Sequence, residues 1–138
     1  MFTESISIDP AFEATYGHRG VAYFRLGDLK NARISCETKP DDWISQQCLA
    51  LVYEKLGRRA DAEAVVAKMK AAYGDAAAYQ YATIHAQWGD RVQALQWLGT
   101  AMRLRDAGLE VLKTDPLMDP LRKERHFQAI ERQIRFPI

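Results

Sequence analysis

Chemistry in a short chain needs nucleophiles, acid–base groups or metal ligands held close together, and the candidates can be counted. Cys36 and Cys48 are the two cysteines, twelve positions apart. Neither has a histidine beside it to draw off the thiol proton, and no second pair of Cys or His stands at zinc-binding spacing. A secreted scaffold of this size usually carries more cysteines, so both are expected as inert, reduced thiols. Of the three histidines, His18, His85 and His126, none lies three or four positions from another, the separation that sets two ligands on one helix face. There is no Gly-rich phosphate loop, no G-x-S-x-G and no carboxylate pair in an apolar setting. Tyr16, Tyr23 and Tyr53 read as core rings, and Trp43, Trp88 and Trp97 as seals at helix junctions. The expectation is therefore no catalytic residue, no metal and no cofactor.

Charge excludes further classes. Nineteen basic residues against eighteen acidic ones leave +1, so no global field draws in nucleic acid or an anionic membrane. The basic run of Arg122, Lys123, Arg125, Arg132 and Arg135 is interrupted by Glu124 and Glu131, which reads as a solvated, ion-paired face. No apolar run approaches the roughly 18 residues of a membrane span, and Met1 to Pro10 has no basic flank, so a cytoplasmic address is expected. With 138 residues, 48% apolar and 27% charged, the chain should form one ordered unit.

The elements that must position these residues emerge from self-comparison. Gly20, Tyr23, Gly27 and Ala32 recur as Ala50, Tyr53, Gly57 and Ala62, and again as Ala82, His85, Gly89 and Ala94. A large apolar residue precedes each glycine (Leu26, Leu56, Trp88), and an apolar residue follows each alanine by four (Cys36, Val66, Leu98). A small residue three before a ring lets a neighbouring helix approach while the ring fills the space beside it. The glycine suits a left-handed chain reversal at a helix end. Asp28 and Asp90 stand where they would cap the next helix, and Asp9-Pro10, Asp115-Pro116 and Asp119-Pro120 read as helix starts, as does Pro40 with Asp41 and Asp42. Helices are predicted near 11–26, 28–38, 41–56, 58–73, 75–88, 90–105, 107–113 and 119–134, with no strand.

The three copies, "GVAYFRLGDLKNA", "ALVYEKLGRRADA" and "ATIHAQWGDRVQA", resemble the tetratricopeptide repeat. The resemblance covers about residues 13–106 and implies an all-α, right-handed α-solenoid of about three helical hairpins, near 13–40, 41–74 and 75–106, with a C-terminal helical cap over 107–138. Glycine spacings of 30 and 32 fall below the usual period of about 34, and Pro40 must stop the helix carrying Cys36 by Lys39. The tail from Asp106 is similar to the ends of tetratricopeptide regions in bacterial adenylate-cyclase-like or winged-helix signalling proteins. "ESISIDPAF" reads like the last turn of a preceding repeat, as in a piece of a longer array or a relative with an incomplete first hairpin.

The resemblance implies a protein or peptide partner on the concave wall formed by the first helices. The family's contact positions fall on Gly17, Val21, Phe24 and Arg25, then Gln47, Leu51, Glu54 and Lys55, then Tyr79, Thr83, Ala86 and Gln87. Gly17 and Val21 stand where a carboxylate clamp needs polar donors, which excludes that mode. A peptide held by Phe24, Leu51 and Tyr79, with Arg25 and Lys55 at the edge, is expected, unless the tail folds back over the wall. The alternative is a homodimer paired through the incomplete N-terminal repeat.

Overall fold

The computed structural model describes residues 13–134, so the expectations for Asp9-Pro10 and for a half-repeat at Met1 to Pro10 lie outside the described residues. Seven α-helices occur among them and no strand: α1 (Glu13–Arg25), α2 (Leu29–Thr38), α3 (Trp43–Lys55), α4 (Arg59–Tyr73), α5 (Ala78–Trp88), α6 (Arg91–Leu104) and α7 (Arg125–Gln133). Three 3-10 segments, Gly74–Ala77, Ala107–Val111 and Pro116–Leu121, join or follow them. The last two replace most of the α-helices predicted at 107–113 and at the start of 119–134. Pro120 lies inside the third segment, and Asp119 turns its carboxylate to Arg122 Nε at 2.8 Å.

Three reversals share one geometry. Gly27, Gly57 and Gly89 have φ of 83°, 79° and 85°, a region costly for any residue with a Cβ. At each, the residue after the glycine donates its N–H to the carbonyl of the ring column: Asp28 to Tyr23 at 2.9 Å, Arg58 to Tyr53 at 2.8 Å, and Asp90 to His85 at 2.9 Å. The glycine N–H closes the inner bond, to Phe24, Glu54 and Ala86 respectively. These paired bonds satisfy carbonyls that a helix end would leave open. At two of the three the first and last residues of the motif also meet through side chains: Arg58 lies 4.3 Å over the Tyr53 ring, and Asp90 is 3.3 Å from His85 Nδ1. Asp90 therefore does not cap α6 with its side chain, as the sequence had implied, whereas Asp28 accepts from the Asn31 N–H and caps α2.

The chain forms two compact units, Met1–Ala71 and Ala72–Ile138. In the first, α1 and α2 pair and α3 packs against both. Gly17 permits the close approach of α1 to α3, since a Cβ there would lie 2.8 Å from Ile44 Cγ2 and 2.9 Å from the Ser45 nitrogen. Asp42 caps α3 through the Ser45 N–H at 2.9 Å. The alanines of the repeat, Ala32, Ala50 and Ala62, are fully buried. Cys36 of α2 and Cys48 of α3 form a disulfide, with Cα atoms 6.3 Å apart, in place of the two free thiols expected from sequence. The physical reason is that the α2–α3 packing carries two positions with no local relation into bonding range.

In the second unit, α5 and α6 form a hairpin and the segments after α6 close over it. Ala78, Ala82, Ala94, Leu98 and Ala101 share one core with Leu112, Met118, Leu121, Phe127 and Ile130. Phe127 and Ile130 are three apart on α7 and face this core, while Arg125 and Arg132 remain exposed. Tyr81 and Trp97 meet edge to face at 4.7 Å, whereas Trp43, expected as a seal, is 41% exposed.

Candidate functional site

The positions assigned to a guest divide by accessibility. Phe24, Gln47, Leu51, Tyr79 and Thr83 are buried, as is Ala86; Val21, Glu54 and Gln87 are half-buried; Arg25 and Lys55 are exposed. The apolar anchors Phe24, Leu51 and Tyr79 thus belong to the interior, not to an open wall. Of these positions the first unit leaves Val21 and Arg25 on α1 and Glu54 and Lys55 on α3 at least partly in water, on two helices that pack together. Lys55 Nζ lies 3.5 Å from Glu54 Oε1.

On α5 the covering agent is visible. Asp106 and Asp115 each close a turn with one carboxylate oxygen and hold Tyr79 with the other. Asp106 accepts the Gly108 N–H at 2.9 Å and the Tyr79 N–H at 3.1 Å. Asp115 accepts the Leu117 N–H at 3.0 Å and the Tyr79 hydroxyl at 2.7 Å. The backbone of Gly108 lies against the ring, where a Cβ would stand 2.5 Å from Tyr79 Cγ. Gln87, two turns further along α5, donates to the Leu117 carbonyl at 2.9 Å. Burial pushes the Tyr79 phenol well above the ordinary tyrosine range, and the adjacent Asp115 carboxylate adds to it, so the hydroxyl stays a donor.

Arg122 locks this arrangement from outside. Its guanidinium donates to the Asp115 carbonyl at 2.7 Å, the Leu112 carbonyl at 3.5 Å and the Asp119 carboxylate at 2.8 Å, and lies 3.7 Å from Glu131. Reading it as one cation in a solvated run missed this role. Lys123, Arg125 and Arg132 do lie on the exposed face. Asp106 was missed entirely. A signal was present for Asp115, whose Asp-Pro pair marks a turn, but a turn does not disclose what its second oxygen holds.

Burial of Leu112, Leu117, Met118, Leu121, Phe127 and Ile130, each about 1.5–3 kcal/mol in transfer terms, sums to on the order of 10 kcal/mol. Leu112, Met118, Leu121, Phe127 and Ile130 share one core with α5 and α6, so this tail is a part of the second unit.

Among the described residues no group of three or more His, Cys, Asp or Glu side chains is placed to hold a metal ion. No helix among them is long and apolar enough to cross a membrane. Comparison of the chain with protein-family models, curated proteins and solved structures finds no match in any of the three.

Proposed function

We propose that the chain is a protein-interaction module, a tetratricopeptide-type right-handed α-solenoid that holds a polypeptide segment against the first helices of its hairpins. The observation that carries the reading is on α5, where Tyr79 and Gln87, both assigned to a guest, bond to a turn of the chain's own tail. On α5 the tail covers the Tyr79 ring while the side chains of Tyr79 and Gln87 satisfy its carboxylate and its carbonyl, which is what holding a polypeptide segment requires. The equivalent face of the first unit keeps Val21, Arg25, Glu54 and Lys55 at least partly in water. Two cations against one carboxylate there favour a segment bearing acidic side chains. The module's setting in this reading is a larger signalling assembly of the bacterial kind that the tail resembles. The homodimer alternative involves Met1 to Pro10, outside the described residues, and no observation favours it.

An array of acidic, neutral and basic peptides probed with the purified chain tests the reading. Acidic peptides should be retained, and Arg25→Glu with Lys55→Glu should weaken their binding by about tenfold or more, equivalent to about 1.4 kcal/mol. Equal binding by wild type and variant, or no preference for acidic peptides, would overturn it.

A further inference from the structure

Two departures from the repeat meet at one point in the first unit. The small column is alanine at Ala50 and Ala82 but glycine at Gly20, and the column held by Val66 and Leu98 is Cys36 in the first copy. The structure gives both departures one cause. A Cβ on Gly20 would overlap Cys36 Sγ, would stand 2.8 Å from Cys48 Sγ and would stand 3.2 Å from the Ala32 carbonyl oxygen. The bridged sulfurs fill the space that a methyl group has in the other copies. Both cysteines are wholly buried, so α1 covers the bridge while the bridge ties α2 to α3.

We infer that the Cys36–Cys48 bridge is a redox-governed clasp on the joint between the first two hairpins, with Gly20 as its seal. Opening it takes a dithiol. One thiolate attacks a cysteine sulfur, the S–S electron pair leaves on the other sulfur, and that sulfur takes a proton. The second thiol of the reductant then resolves the mixed disulfide, so two electrons and two protons pass to the protein and the dithiol leaves as a cyclic disulfide. With neither sulfur in water, attack waits until α1 lifts away. The clasp therefore stays shut in an oxidising compartment, and in a reducing one it is cut only as fast as the joint opens. This sets the bridge against the cytoplasmic address expected from composition. Once cut, the unfolded chain regains the freedom of a loop of twelve residues, and the unfolding equilibrium constant rises about a hundredfold.

The test begins with the full chain, air-oxidised, denatured and treated with iodoacetamide without reductant. Intact mass should show no alkylation, and alkylation of both cysteines would refute the clasp. Dithiothreitol should then reduce the native chain at least about tenfold more slowly than the chain in guanidinium. Equal rates would refute the seal. Gly20→Ala should speed reduction of the native form, and an unchanged rate would count against Gly20. If that variant does not fold, urea unfolding of wild type and of Cys36→Ala/Cys48→Ala decides. Dithiothreitol should destabilise the first about a hundredfold and leave the second unchanged, and a wild type indifferent to dithiothreitol overturns the proposal.

Discussion

Replacing Tyr79 with phenylalanine removes a single oxygen from a ring that the tail grips at both ends. The Tyr79 N–H keeps its bond to Asp106, and the Gly108 backbone keeps its contact with the ring, so the packing of α5 is unchanged. What disappears is the hydroxyl's bond to the Asp115 carboxylate at 2.7 Å. A hydrogen bond to a charged group contributes about 1.5–3 kcal/mol net. Asp115 is half-buried and retains the Leu117 N–H, so water and the remaining donor soften the loss. The lower end, about 1.5 kcal/mol, is the expected destabilisation. Urea unfolding followed by tryptophan fluorescence, to which Trp43, Trp88 and Trp97 all contribute, reads it, with the midpoint lowered and the slope unchanged. Asp115→Asn and the double variant complete a cycle whose coupling should be about 1 kcal/mol. A Tyr79→Phe protein within about 0.3 kcal/mol of wild type would refute the reasoning and show that the hydroxyl's bond adds nothing net to the hold on the tail.

Alkaline pH provides a second check. Burial first, then the Glu37 bond, raises the Tyr53 phenol from the ordinary value of 10.0 to about 12, and burial first, then the Asp75 charge, raises Tyr81 to about 12. A phenol pushed up in the folded state holds its proton more tightly there than in the unfolded chain. The stabilisation is therefore complete below pH 10 and should be lost as pH rises from 10 through 12. A urea midpoint that does not fall over that window would contradict it. At the end of α6, Arg105 takes the left-handed position with φ of 55° that glycine takes at the other reversals, and its side chain is exposed. Arg105→Gly should therefore stabilise the protein by about 0.5–1 kcal/mol in the same assay, and a loss would show that the arginine side chain contributes more than its backbone costs.

Much of the helical framework was legible because its determinants are local. A positive φ after the last turn of a helix is cheap only for glycine, so Gly27, Gly57 and Gly89 announce three reversals before any tertiary contact is known. Pro40 likewise ends α2, which stops at Thr38. Reading failed where one group had two uses. Asp90 follows its glycine as a cap should, but His85 takes its carboxylate; Asp119 precedes a proline as a helix start should, but Arg122 takes it instead.

The candidate site was legible as a set of positions on the first helices and not as a surface. The resemblance assigned Phe24, Leu51 and Tyr79 to a binding wall on those helices, yet all three are buried. For Tyr79 the covering residues are Asp106, Gly108 and Asp115, more than two dozen positions away with no periodic relation to it. By itself, then, the sequence determined the all-helical class, the hairpin reversals and the small-residue columns, because each rests on backbone preferences or on i, i+3 and i, i+4 neighbours. Tertiary packing alone decided which columns stay wet, which carboxylate holds which donor and that Cys36 meets Cys48. Those outcomes depend on distances between residues remote in sequence, and such distances exist only once the helices have packed.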